Sequence, residues 1–350
     1  CIIHMNTMNT TKKELIMNKL TKIGVSALCG SLAAMSAAHA GDLTASGSAA
    51  LTYISQDDVT VGNPIGMASA VSFTGSGELD NGWNVKLSIA GTDGGGYSTT
   101  NVTITLPGMG DVLIAQGTSG TGIQRLDDIT PTVWEEADGA GISATINKIM
   151  GTSAGATIEV TPTEMMPAGL TARFAFSKDA DAGNTNDKVA GGTSGALGSG
   201  WDLTLEAGSD LHGVDGLTLY GGVSEVDQYQ NSSNTDGDKS ESVVGIKYAM
   251  GSFTVGYQQT DEETGLTGTT DYENTYYSVT FSVNDDLSIG YNHVESDEKS
   301  TTPVTAEADS IQAAYTMGGA TFRIAEVDIT NRNYGTSDHE GHVISLGLSF

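Results

Sequence analysis

Apolar and polar side chains alternate with a period of two along most of the chain from Leu43 to Phe350, and this restricts the fold more than any other feature. Successive side chains of an extended strand point to opposite faces, so each such segment has one greasy and one wettable face. Leu43, Ala45, Gly47, Ala49, Leu51 and Tyr53 alternate with Thr44, Ser46, Ser48 and Thr52. Trp83, Val85, Leu87 and Ile89 interleave with Asn84, Lys86 and Ser88; Trp201, Leu203, Leu205 and Ala207 interleave with Asp202, Thr204 and Glu206. The pattern returns at Tyr277, Val279, Phe281 and Val283, and again at Ile311, Ala313, Tyr315 and Met317. No stretch reads as an amphipathic helix.

Alternation suits a soluble β-sandwich as well as a transmembrane barrel, and the connections separate the two. Short joints recur at Asp80-Asn81, Pro107 to Met109, Glu164 to Ala168, Leu211 to Asp215, Gly251, Asn284 to Asp286 and Gly318-Gly319. Long polar connections at 55–67, 92–98, 118–155, 178–199, 227–240, 262–271, 296–307 and 332–339 alternate with them. That sorting is the meander of a bacterial barrel with tight periplasmic turns and longer external loops. Ile142, Ala144 and Ile146 would make a seventeenth strand, but single-chain bacterial barrels have even strand numbers, so residues 139–149 are assigned to the third loop. The expected fold is all-β: a 16-stranded antiparallel up-and-down transmembrane β-barrel occupying residues 41–350. Closure follows because an unpaired backbone group in hydrocarbon costs several kcal/mol. Sixteen strands enclose water, whereas eight are filled by their own side chains.

Residues 1–16 are polar and patternless and are read as an upstream extension outside the fold. Residues 17–40 read as a signal peptide, with Lys19 and Lys22, an apolar run from Ile23 to Ala34, and Ala38-His39-Ala40 as the cleavage site. Cys1 and Cys29, the two cysteines, precede that site, so the mature chain has no disulfide or thiolate chemistry. Cleavage leaves 11 basic against 42 acidic residues, a net charge of −31. Such acidity excludes nucleic acid as a partner, since phosphate binding needs basic patches.

The last strand alternates Ile344, Leu346, Leu348 and Phe350 with Val343, Ser345, Gly347 and Ser349. This resembles the C-terminal signature of outer-membrane barrels, whose terminal Phe belongs to the signal read by the barrel-assembly machinery. Asp111-Val112-Leu113-Ile114-Ala115-Gln116 followed by a long acidic loop, then Ile158-Glu159-Val160-Thr161-Pro162 and Ala168-Gly169-Leu170-Thr171-Ala172, resembles strands five to seven of Gram-negative general diffusion porins. The resemblance covers essentially the whole mature chain, and its specificity lies in the order and spacing of the motifs. It implies an inward-folded third loop at 118–155 and a homotrimer. It makes Asp127, Asp128, Glu135, Glu136 and Asp138 the carboxylates of a pore constriction.

Lys86, Arg173, Lys247 and Arg323 fall on the polar faces of their strands. A Lys or Arg on the lipid face at mid-depth costs about 2–4 kcal/mol, so these four are expected in the lumen. Lys86 and Arg173 are the expected partners of the loop, with Lys247 and Arg323 balancing Asp202 or Glu206. The alternation around Arg323 loses phase after Ile324, where Val327 and Ile329 change face. General porins face their acidic loop with a dense arginine cluster; so few basic residues here point to a cation-preferring pore. Tyr53, Tyr97, Trp201, Tyr257, Tyr291 and Tyr315 are candidate members of an aromatic girdle. Ala45, Gly47, Ala49, Gly75 and Gly77 mark a candidate subunit interface.

Catalytic constellations are missing. His339-Glu340-Gly341-His342 is one residue short of the H-E-x-x-H zinc motif, and no G-x-S-x-G elbow occurs. No cofactor or metal is expected; clustered oxygen ligands at Asp179-Ala180-Asp181 and at 234–241 leave a structural calcium site as the alternative. The expected function is passive diffusion of small hydrophilic solutes and ions across an outer membrane, in contact with its lipid. The competing readings are a barrel that displays adhesive loops and a secreted soluble β-protein.

Overall fold

The computed structural model describes residues 40–57, 62–93, 97–116, 120–127, 129–153, 155–181, 197–228 and 237–350, without the side chains of 40–42 and 97–99. The upstream extension and, Ala40 apart, the signal peptide lie outside the described residues, as do Asp128 and Asn234. Sixteen strands form one closed antiparallel barrel in chain order. They are β1 (Ala40–Gln56), β2 (Ile65–Glu78), β3 (Asn84–Thr92), β4 (Tyr97–Leu106), β5 (Gly110–Gln116), β6 (Ala156–Thr161), β7 (Leu170–Ser177) and β8 (Leu197–Ala207). There follow β9 (Leu217–Gln228), β10 (Lys239–Met250), β11 (Phe253–Glu263), β12 (Asp271–Ser282), β13 (Leu287–Lys299), β14 (Val304–Met317), β15 (Ala320–Thr330) and β16 (His339–Ser349). β16 pairs with β1 in the register Ser48↔Ser349 to Gln56↔Gly341, which closes the wall and removes both sheet edges. Among the described residues no helix is long and apolar enough to cross a membrane, so the strands are the candidate spans.

The two faces separate as the alternation requires. Leu203, Leu205, Val223, Phe174 and Ile311 are exposed on the outside, while their neighbours Asp202, Thr204, Ser224 and Ser310 are buried. This is the reverse of a soluble protein, whose large apolar side chains lie in the core. Residues 139–149 form no strand.

Two differences from the sequence reading have physical causes. β13 and β14 run on to Lys299 and from Val304, so the connection expected at 296–307 is confined to 300–303. Glu295, Asp297, Glu307 and Asp309 therefore sit on strands, where the outward face has turned polar and the alternation fades although the ladder continues. In β15, Val327 and Ile329 do face inward, but with no bulge: the pairings with β14 and β16 are regular from Ala320 to Ile329. Those inward apolar side chains are covered by Ala140, Ile142 and Ala144 of the third loop.

Candidate functional site

Residues of the third loop within 120–127 and 129–153 touch inward-facing side chains of the wall in two apolar clusters. A 3₁₀ turn at Gly122–Leu126 buries Ile123 and Leu126 with Tyr220 and Val243. Farther on, Ala137, Ala140, Ile142 and Ala144 share an apolar cluster with Tyr276, Val294, Ala308, Ala325, Val327, Ile329 and Val343.

The polar backbone of such a segment must find partners, because a buried unpaired N–H is costly. Wall carboxylates supply them. Asp202 on β8 accepts from Ile123 N–H (3.2 Å), Thr152 N–H (3.2 Å) and Thr152 Oγ1–H (2.8 Å). Glu159 on β6 accepts from Gly122 N–H at 2.7 Å and holds the Arg125 guanidinium, Nη2 to Oε1 at 2.7 Å. Glu241 on β10 accepts from Met150 N–H (3.1 Å) and Gly151 N–H (2.5 Å) and pairs with Lys239 at 2.7 Å. Gln312 on β14 clamps two consecutive loop residues: Oε1 accepts from Trp134 N–H at 2.9 Å and Glu135 N–H at 3.2 Å, and Nε2 donates to the Glu135 carbonyl at 2.7 Å.

Glycine is required at two of these contacts. Gly122 (φ +56°) and Gly151 (φ +54°) adopt the left-handed conformation, and a Cβ at either would lie 1.7 or 2.6 Å from the nearest Asp202 carboxylate oxygen.

The expected constriction carboxylates are placed unequally. Asp127, Glu136 and Asp138 are buried, and Lys148 of the same loop bridges Glu136 at 2.6 Å and Asp138 at 3.5 Å. Burial alone would depress the Lys148 pKa, but Asp138, Glu136 and Asp127 outweigh it and hold the ammonium above its usual range. Glu135 is exposed. Asp128 lies outside the described residues.

Of the four expected basic wall residues, Arg173 is ion-paired with Glu206. Lys86, Lys247 and Arg323 form no ion pair among the described residues; Arg323 stands instead over the Trp134 ring, its Cζ 6.0 Å from the centroid. Asp202 is thus bonded by the loop rather than balanced by a wall cation. Sequence reasoning missed Arg125, Lys148 and Gln312. For the first two, the available signal was that a long acidic loop retained basic residues at all.

At its tip the third loop meets the connection between β15 and β16. Asn333 N–H donates to the Ala144 carbonyl at 2.8 Å, Arg332 Nε to the Ser143 carbonyl at 2.9 Å, and Asn147 N–H to Tyr334 Oη at 2.8 Å. None of these partners lies on β2 to β4, whose inward side chains include Ser72, Thr74, Ser76, Ser88, Asn101 and Thr103.

No group of three or more metal-ligating side chains occurs among the described residues. His339 and His342, an odd number of residues apart on β16, point to opposite faces of the wall.

Comparison with solved structures places the fold among outer-membrane channels. OmpF of Salmonella typhi, in complex with daunomycin, superimposes with a TM-score of 0.66 at 10% identity, covering 89% of this chain and 98% of that one. OmpT of Vibrio cholerae in its trimer form matches at 0.59 and 10% identity, covering 89% and 100%. An anion-selective porin from Comamonas acidovorans matches at 0.59 and 12% identity, covering 88% and 99%. By sequence, none of the curated proteins compared matches. Identities this low speak for the fold alone; the family is carried by a model of the Gram-negative porins that matches residues 24–331, and to that family the chain belongs.

Proposed function

We propose that the barrel is a cation-preferring outer-membrane pore for passive diffusion of small hydrophilic solutes. The observation that carries this is the closed sixteen-stranded wall with exposed apolar side chains outside and polar ones within. In this reading the third loop narrows the passage. Solutes then move between it and the hydroxylated inner wall of β1 to β4.

Cation preference follows from charge. The whole chain carries a net −28, and its few inward cations are partly neutralised by Glu159 and Glu206. Acidic mouths and walls concentrate cations locally. Export through a cleaved signal at 17–40, assembly read from Phe350 by the barrel-assembly machinery, a lipid-facing girdle and a homotrimer complete the proposal.

Bilayer recordings across a potassium chloride gradient test it. Stable ohmic steps with a reversal potential on the cation side are expected. An impermeable barrel removes the pore reading, and an anion-side potential removes the selectivity.

A further inference from the structure

We propose that Arg323 and Trp134 form a recognition subsite for small hydroxy-carboxylates, such as sugar acids, within the pore. The inference rests on the passive-pore reading and names a solute class that an acidic channel would otherwise disfavour.

Arg323 differs from the other arginines on the inner side. Arg125 is engaged by Glu159 and Arg173 by Glu206, whereas Arg323 has no carboxylate partner among the described residues. Its guanidinium stands over the indole of Trp134. A cation–π contact at this distance uses no N–H of the guanidinium, so the donors of the fork are left for a second partner such as a carboxylate. Trp134 is held at its backbone by Gln312, which accepts from its N–H, and its half-buried side chain packs against the apolar cluster shared by loop and wall.

The wall makes room for this arrangement. A Cβ at Gly347 would lie 2.7 Å from Arg323 Nη1, so a side chain there would displace the guanidinium. Beside it opens a cavity of about 310 Å³, whose lining includes Arg323, Ser48, Thr321, Ser349 and Asp93, the last with its carboxylate accepting from the Ser69 N–H at 2.7 Å. Five hydroxyl-bearing residues in that lining, with one guanidinium that has no carboxylate partner among the described residues, suit a small polyol that carries a single carboxylate, bound at the Arg323 end and away from Asp93. A cavity of that size accepts such a molecule without its water shell intact.

The test uses the full mature barrel in proteoliposomes, with gluconate and sorbitol, an acid and a neutral polyol of equal carbon number. Arg323→Gln is expected to lower the gluconate-to-sorbitol permeation ratio roughly fivefold, as loss of a charge-assisted bidentate contact should. Arg323→Lys keeps the charge without the planar fork and should fall between. Gluconate should also reduce the potassium current of the wild type with a saturable dose dependence that Arg323→Gln abolishes. Heat-modifiable gel migration verifies that each variant is folded. A ratio indifferent to residue 323, or one that falls equally in Lys247→Gln, overturns the subsite in favour of a diffuse potential. A wild-type barrel that passes neither solute overturns the pore reading and the subsite together.

Discussion

Phe350, the last residue, lies over Gly47 of β1 on the outer surface of the barrel. Gly47 N–H donates to the Phe350 carbonyl at 2.8 Å, and Phe350 N–H to the Gly47 carbonyl at 3.0 Å. The aromatic ring occupies the place of a side chain at position 47, where a Cβ would come within 2.5 Å of Phe350 Cε2. The seam that closes the barrel therefore ends in a ring seated on a glycine. The small residues at positions 45–49, read from sequence as an interface, have this local use at Gly47.

Gly47→Leu should displace the ring and loosen the β1–β16 seam. Because the ring is exposed and can swing aside, the cost lies at or below the low end of core overpacking, about 1 kcal/mol. A lower temperature of conversion from the compact to the unfolded gel band is expected. Gly75→Leu, on the same outer face but with only Leu43 Cδ1 near, at 3.9 Å, should convert close to the wild-type temperature. Equal losses in the two variants would show that the Phe350 contact is not the cause.

Asp202 is the deepest anchor of the third loop, fully buried and accepting two backbone N–H groups and one hydroxyl. Asp202→Ala leaves those donors without an acceptor, at about 1–3 kcal/mol for each that stays buried. Loop residues 122–152 should become cleavable by added protease in the otherwise intact barrel, and single-channel noise should rise. Asp202→Asn retains one carbonyl oxygen and should show a smaller effect. A loop equally resistant in Asp202→Ala would assign the anchoring to Glu159 and Glu241.

The barrel was legible from sequence because lipid and water impose opposite demands on the two faces of every strand, as at Leu203 beside Asp202 and Thr204. Legibility ended where that contrast did. Glu295 and Asp297 lie above the apolar part of the wall, so strand continuation there left no periodic trace. Val327 and Ile329 are apolar on the inner face because Ile142 and Ala144 cover them, a pairing between segments nearly two hundred residues apart. The loop carboxylates were visible as charges, but their partner Lys148 was not, since only the fold of the loop brings it to Glu136.

Lys148 neutralises two buried carboxylates, and its removal should be read in ion selectivity. Lys148→Met leaves Glu136 and Asp138 without the ammonium that now lies 2.6 and 3.5 Å away. The local potential becomes more negative, so the reversal potential in a salt gradient should move toward the cation limit. Lys299→Met, which removes a half-exposed cation bonded to Glu273 near the external end of the wall, should move it less. The reverse order would place the selectivity-determining charge outside the third loop.

Thr145 has a β-branched side chain at φ +58°, in a conformation that costs about 1–2 kcal/mol for residues other than glycine. The strain is local to the tip of the third loop, where Asn333 and Tyr334, both at φ +54°, meet it from the neighbouring connection. The contacts that hold the tip are made by Ser143, Ala144 and Asn147 on either side of Thr145, not by its hydroxyl. Thr145→Gly should thus keep the contacts while releasing the strain, and raise the thermal conversion temperature. Tyr334→Phe, which removes the phenol oxygen accepting from Asn147 N–H, should lower it by the equivalent of about 1 kcal/mol. If Thr145→Gly instead destabilises the barrel, the added freedom of the unfolded glycine outweighs the strain, and the tip is held by more than its backbone bonds.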